Sequence, residues 1–428
     1  MMSEPLTVKT FGKYFSYVKF KRESEISDEK LARMNPKERR RFLEAKVYRR
    51  HKELSPSSKK VKKSFFGSTP PTIFVGRTGY PKVSAGILSP VDFREDAGKF
   101  DSPNRWYNEN QSIDRIIGYR SNLVNSREKV DVKGSDKFSS YAKEIAMAKK
   151  PVDLEVDLKK KPKFQLNFSM GSAPFGPSGN LEKVELTGNP STSRAVEKVV
   201  SDDEWNAESA AKYLYEKDLD YYGIQRVLSA GLLGKKENRR MVPTRWSITA
   251  VDDMVSKQVR DRVKDYQELG ETRYFYNSYN GNHFHIILTP GKWEYELLEI
   301  KGAGSVWNPG SKAFVNKNYE NFGGRTNYAK ETAGAYYATR LGVCEYLEKI
   351  GRQAKVLVVR EVTDMYWAPL GVWVIRETVK DAFDDYSVME SFRKGFEKVL
   401  KNVSVDGSLV KQNSKMMSST QHSLSAFK

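Results

Sequence analysis

Two aspartates stand side by side at Asp252 and Asp253, directly after the run Met241-Val242-Pro243-Thr244-Arg245-Trp246-Ser247-Ile248-Thr249-Ala250-Val251. Adjacent carboxylates near a helix start can hold Mg²⁺ or Mn²⁺, and through the metal activate water against a phosphodiester. The same residues have a plainer use. Thr249-Ala250-Val251-Asp252 has capping-box spacing, in which Asp252 bonds back to a helix start and complements its dipole. A second donor set is His283-Phe284-His285 followed by Glu294 and Glu296. Alternate residues of a strand share a face, so antiparallel pairing of these two segments would set two imidazoles against two carboxylates. That is a site for Mn²⁺ or Zn²⁺. Alternating polar residues equally describe the solvent face of any sheet. A third pattern interleaves cations with aromatics, at Arg105-Trp106-Tyr107, Arg245-Trp246, Arg273-Tyr274-Phe275-Tyr276 and Tyr366-Trp367. Aromatic faces stack bases while cations hold phosphates, although most such rings are core residues. Arg245 and Trp246 read least like plain core, because proline and threonine set them in a turn ahead of a helix.

Histidine and cysteine usage narrows the chemistry. The chain has four histidines and one cysteine. With Cys344 alone there is no disulfide framework and no cysteine zinc site, so no zinc finger is expected. Cys344 lies in a helical apolar pattern, Gly334 to Leu347, and reads as a buried structural thiol. Carboxylate-bound Mg²⁺ or Mn²⁺ stays open.

A formal net charge of +19 over 428 residues points to an anionic partner, and nucleic acid is the commonest. The first 65 residues are the most basic stretch. Asn35-Pro36-Lys37-Glu38 has the form of a helix start with a capping box, and the helix that follows carries Arg39, Arg40 and Arg41. It is either a phosphate-tracking arm or a solvated basic face. Together with Arg77, Lys82, Arg239, Arg240, Arg245 and Trp246, these arginines are the candidate DNA contacts. No segment has the length of an apolar membrane span, and no signal-peptide pattern is present. A soluble cytoplasmic protein associated with the nucleoid is expected.

The elements that must position these residues read as an α+β fold, with helices mixed among largely antiparallel strands in two packed halves. The expected organisation is a basic helical segment over 1–68, an α+β domain over 69–200, a second over 201–403, and a flexible tail over 404–428. Ile73-Phe74-Val75 reads as a strand, and Gly76-Arg77-Thr78-Gly79 as a turn whose glycines allow a bent or closely approached backbone. Ser112 to Val124 reads as an amphipathic helix, Phe164 to Ser169 as a strand, and Ala207 to Leu233 as helical. Strands are expected around Tyr274 to Tyr276, His283 to Thr289, Trp293 to Ile300, Lys355 to Val362 and Gly371 to Ile375. Helices are expected over Glu331 to Ile350 and Ser387 to Leu400.

The chain closes on Gln421-His422-Ser423-Leu424-Ser425-Ala426-Phe427 and Lys428. In one tight helical turn, residues three apart eclipse one another, so Leu424 and Phe427 would form one plug beside the Gln421 amide. This resembles the PIP box, the peptide that docks on the sliding clamp PCNA. A polar stretch from Asp406 to Thr420 reads as a disordered tether for it. Lys428 stands where many such boxes carry a second aromatic.

Three segments carry a wider resemblance. Ile73-Phe74-Val75-Gly76-Arg77-Thr78-Gly79-Tyr80-Pro81-Lys82-Val83, Phe175-Gly176-Pro177, and Val242-Pro243-Thr244-Arg245-Trp246-Ser247-Ile248-Thr249-Ala250-Val251-Asp252-Asp253 are similar to the archaeal Nre DNA repair proteins. The resemblance implies a role in DNA repair, with PCNA held through Gln421, Leu424 and Phe427. Many members also carry a cysteine zinc finger near the N-terminus, which this chain lacks. Two functions then compete. One is a metal-dependent deoxyribonuclease centred on Asp252 and Asp253, with His283, His285, Glu294 or Glu296 as further ligands. The other is a non-enzymatic DNA-binding adaptor that recruits other repair proteins to the clamp.

Overall fold

A computed structural model describes residues 34–55, 61–91, 96–162, 176–305, 307–308 and 310–418. Within them the chain is α+β, with helices around mostly antiparallel sheets. It divides into two compact units, whose described parts are 48–255 and 34–47 with 256–418. The expected boundary at 200/201 therefore falls inside the first unit.

The first unit is built on a sheet of six strands. They are β1 (Ser64–Thr69), β2 (Ile73–Val75), β3 (Lys82–Pro90), β4 (Leu123–Asp131), β5 (Val152–Leu158) and β6 (Ser178–Leu186), in the order β1-β5-β6-β4-β3-β2. Only a short β4–β6 ladder, Asn125–Arg127 with Ser178–Asn180, runs parallel. The sequence of β5 shows why one face meets solvent. Val152, Leu154, Val156 and Leu158 are buried while Asp153 and Glu155 are exposed, the alternation a one-sided sheet requires. The amphipathic segment from Ser112 divides in two. Ser112 caps a helix over Ile113–Ser121, and Leu123 opens β4 instead of extending that helix. Gly176 explains part of this corner, since a Cβ there would lie 2.2 Å from the Leu123 carbonyl oxygen. The strand expected over Phe164 to Ser169, and Phe175 itself, lie outside the described residues. The run from Ala207 forms two helices, Ala207–Glu216 and Tyr221–Ser229, the second capped by Asp220.

The second unit has its own six-stranded sheet. Its strands are β8 (Thr272–Tyr279), β9 (Asn282–Thr289), β10 (Glu294–Lys301), β11 (Phe314–Glu320), β13 (Lys355–Val362) and β14 (Ser387–Met389), in the order β11-β10-β13-β9-β8-β14. Strands β7 (Gln267–Glu268) and β12 (Arg352–Gln353) form a separate parallel pair. Central β13 is buried from Val356 through Val362, so its apolar run Val-Leu-Val-Val is covered on both faces. One cover is the helix Phe392–Asn402, which places Phe392, Phe396 and Val399 in a core with Ile287, Leu298, Leu357 and Val359. The helix expected from Ser387 begins only at Phe392, after the short edge strand β14. The strand expected over Gly371 to Ile375 is instead the start of the helix Trp373–Asp381.

The basic segment forms the helix Pro36–Leu54. Asn35 Oδ1 accepts the amides of Lys37 and Glu38 at 3.1 and 3.0 Å, and Glu38 returns the bond to the Asn35 amide at 3.3 Å. That is the capping box its sequence describes.

The expected tether from Asp406 is ordered as far as it is described. Asp406 caps a helix over Gly407–Asn413, and Val410, Met416 and Met417 join the sheet core. Glu296 fastens this segment, accepting the Ser414 hydroxyl and the amides of Lys415 and Met416 at 2.9, 2.6 and 3.1 Å. Two methionines and a valine were too few to register as an apolar pattern, yet each buries enough area to hold a short segment. Gln421, Leu424 and Phe427 lie outside the described residues.

Candidate nucleic-acid interface

The two distinctive segments of the first unit meet at its surface. The helix Thr244–Val263 starts directly after Pro243, whose carbonyl accepts the amides of Trp246 and Ser247 at 2.7 and 3.0 Å. Its first hydroxyl, Thr244 Oγ1, accepts the amide of Val75 at 2.9 Å, which pins the helix start to β2. The turn that leaves β2 therefore runs beside Arg245 and Trp246. Gly79 has φ +85°, a left-handed conformation, and a Cβ there would meet the Lys82 carbonyl oxygen at 2.8 Å. Glycine thus closes the turn, and the turn presents Tyr80. Tyr80 and Trp246 are 39% and 48% exposed, with ring centroids 5.8 Å apart and planes 47° apart. Two large rings that touch each other yet stay half in solvent form an exposed aromatic patch. Arg77, Lys82 and Arg245 are exposed around them, and their charged ends make no ion pair or hydrogen bond with another described residue.

A pocket of about 250 Å³ adjoins this surface, lined by Lys133, Lys143, Lys236, Arg239 and Arg240 together with Gly134 and Gly231. Val132 links the two features. Its amide donates to the Pro81 carbonyl at 3.0 Å, and its own carbonyl accepts the Met241 amide at 2.7 Å. Gly231 has φ +76°, and a Cβ there would sit 2.5 Å from the Arg240 carbonyl carbon. Only glycine lets this wall pack so closely. Not every cation here is available. Arg239 is a brace: its guanidinium donates to the carbonyls of Gly234, Val200 and Asp202 at 2.8, 2.8 and 2.6 Å. The expectation of Arg239 as a DNA contact is corrected on that ground. Lys236 pairs with Asp203 at 2.9 Å. Arg240 and Lys143 make no such contact among the described residues.

The basic helix contributes differently and belongs to the second unit over 34–47. Arg40 pairs with Glu44 at 3.0 Å, Arg39 is half-buried, and Arg41 is exposed but already engaged. Of the other aromatic runs, Trp106, Phe275 and Tyr366 are buried core residues.

Within each unit, the proposed metal ligands are directed apart or engaged by other partners. Asp252 and Asp253 lie in the interior of the helix Thr244–Val263, not at its start, so the capping-box reading of Asp252 is also corrected. Pro243 moved the helix start upstream of Thr249. Successive helical residues diverge by about 100°. Accordingly Asp252 is fully buried and Asp253 only half-buried, and each already has an interaction partner. They belong to the first unit, whereas the histidines and glutamates belong to the second.

The expected pairing of the histidine and glutamate strands does not occur, because β13 lies between β9 and β10. The parallel crossover that brings β13 into the sheet displaces β10 by one strand. Each of the four side chains is otherwise engaged. His283 Nδ1 meets the Tyr276 hydroxyl at 2.9 Å, and His285 Nδ1 meets the Tyr274 hydroxyl at 2.8 Å. Burial, with a smaller contribution from His283, holds His285 down to about 4. Glu294 pairs with Lys355 at 3.3 Å, and Glu296 fastens the 414–416 backbone. Burial raises the Glu296 carboxyl above the usual range against those hydrogen bonds. Among the described residues no group of three or more His, Cys, Asp and Glu side chains could hold a metal ion. Cys344 is fully buried, and burial raises its thiol pKa.

Sequence reasoning missed Tyr80 as a contact and Lys133 and Lys143 altogether. Tyr80 was legible as part of a distinctive turn. The lysines sit one at a time on β4-side loops and a helix, with no local pattern to mark them.

The chain matches two family models, described as archaeal Nre, N-terminal, over residues 44–308 and archaeal Nre, C-terminal, over residues 320–427. A Haloferax volcanii protein named DNA repair protein NreA is 44% identical over 360 residues, covering 81% of this chain and 86% of its own length. The Archaeoglobus fulgidus DNA repair protein NreB is 38% identical over 76% of this chain and 81% of its own length. DNA repair protein NreA of the same organism is also 38% identical, over 78% and 84%. No solved structure matches. No described helix is long and apolar enough to cross a membrane. Matches of this extent in both halves establish the relationship: the chain belongs to the archaeal Nre family.

Proposed function

We propose that this chain is a DNA repair factor that binds DNA through Tyr80, Trp246 and the cations around them, and works as a non-enzymatic adaptor at the sliding clamp. The observation that carries the DNA-binding part is the pair of half-exposed rings set among Arg77, Lys82 and Arg245. Stacking holds bases without regard to sequence, and free cations beside the rings hold the phosphates between them. That combination suits unpaired or distorted DNA better than an intact duplex, whose bases are already stacked. The repair role is supported by the names of its relatives. The clamp role rests on Gln421, Leu424 and Phe427.

The adaptor is preferred over a metal-dependent nuclease because Asp252 and Asp253 point to different sides of one helix, and His283, His285, Glu294 and Glu296 are each engaged by another partner within their own sheet. The test is binding of the full chain to labelled single-stranded DNA across a salt series, with and without PCNA. Affinity should fall steeply with salt, and PCNA should join the complex unless Leu424 and Phe427 are both replaced by alanine. A flat salt response would remove the phosphate contacts, and PCNA capture by the doubly substituted chain would remove the clamp motif. Mg²⁺- or Mn²⁺-dependent cutting of the DNA, abolished in Asp252→Asn, would replace the adaptor by the enzyme.

A further inference from the structure

We propose that the pocket walled by Gly134 and Gly231 receives the terminal phosphate of a DNA end, next to the base-stacking rings. This rests on the DNA-binding reading above and gives it a preferred substrate. Five cations and no carboxylate line a space of about 250 Å³. That is below the usual range of about 300–1,000 Å³ for small-molecule sites. It suits a phosphoryl group with part of its sugar. Arg239 and Lys236 keep their own partners, Arg239 bracing the wall and Lys236 pairing with Asp203. Lys143 and Arg240 have no partner among the described residues, and Lys133 Nζ makes only a long 3.5 Å contact to the Glu237 carbonyl.

A concave site with this excess charge favours a terminal phosphate over an internal one. A phosphate monoester carries about −1.5 to −2 charge near neutral pH and presents three strong acceptor oxygens. An internal phosphodiester carries a single charge and continues as chain on both sides, so it gains less from this cluster of cations. The position fits as well. Val132 joins the pocket to the Tyr80-Pro81 turn by one hydrogen bond, so the last base of an end could lie on Tyr80 and Trp246 while its phosphate enters the pocket.

The experiment measures anisotropy of the full chain with labelled duplexes carrying a short overhang that ends in phosphate or in hydroxyl. The phosphorylated end should bind about tenfold tighter, as expected of a few charge-assisted hydrogen bonds. Lys143→Ala and, separately, exposed Lys133→Ala should bring that ratio towards one, with melting curves confirming that each variant folds. Equal affinity for both ends in the wild type would overturn the inference while leaving the DNA-binding surface intact. Loss of all DNA binding would overturn both. A deoxynucleoside monophosphate that displaces the duplex at equimolar concentration would make a free nucleotide the occupant and overturn the DNA-end assignment.

Discussion

Arginines and aromatic rings meet in both units, with opposite outcomes. In the second unit Arg340 is fully buried beside Tyr336 and Tyr337 and donates to Glu320 at 3.0 Å and to Ser256 at 3.1 and 2.9 Å. Glu320 accepts in addition from Trp293 Nε1 at 3.0 Å and the Tyr336 hydroxyl at 2.8 Å. A second cluster repeats the plan, with Glu299 bound by Arg360 and Lys301, both of which face Trp307. Burial works to raise Glu299, but the charges of Lys301 and Arg360 hold it below the usual carboxylate range. In the first unit Arg77, Arg245, Tyr80 and Trp246 have the same side-chain types and no carboxylate among them. A buried acid separates these clusters: Arg340 with Glu320 is part of the core, whereas Arg77 and Arg245, with no such partner among the described residues, stay at the surface.

This contrast can be broken at either end. The largest effect should come from Arg340→Ala, which leaves Glu320 buried beside a lost partner and should cost about 3–5 kcal/mol in a denaturant titration. A loss within about 0.5 kcal/mol would show that the cluster is not a structural unit. Next in size, Trp246→Ala should weaken single-stranded DNA binding by about 1–3 kcal/mol while stability barely changes. A fall in melting temperature with unchanged affinity would make Trp246 a core residue after all.

The smallest effect concerns pH. His285 is neutral in the fold down to about 4, whereas the unfolded chain takes up a proton near the ordinary 6.5. Stability should therefore be full above pH 6.5 and decline as the pH falls towards 4. His51, also buried and held near 4, adds to the same slope. His285→Gln should lower proton uptake on unfolding in that window by up to one; an unchanged slope would place the titration elsewhere.

Much of the architecture was legible because it depends on local pattern. The Asn35 cap, the edges of β9 and β10 and the buried Cys344 follow from spacing and composition within a few residues. Two of the errors come from long-range packing and the third from a local helix start. Gly371 to Ile375 carries strand-forming residues, but the helix Trp373–Asp381 that they begin is fixed by packing against the sheet. The histidine and glutamate ladder failed because strand order is a long-range property: β13, some 60 residues on in sequence, takes the place between them. Asp252 was misread because a helix start was assigned at Thr249, when Pro243 had already supplied one. The Tyr80–Trp246 surface was half-visible. Both segments stood out in the sequence, but their meeting depends on Thr244 bonding Val75 across 169 positions.

The grip of Glu296 on the backbone of 414–416 has a mechanical consequence. The Ser414 hydroxyl and the amides of Lys415 and Met416 all converge on this one buried carboxylate, so lifting the segment away would strip it of all three donors at once and leave it buried without them.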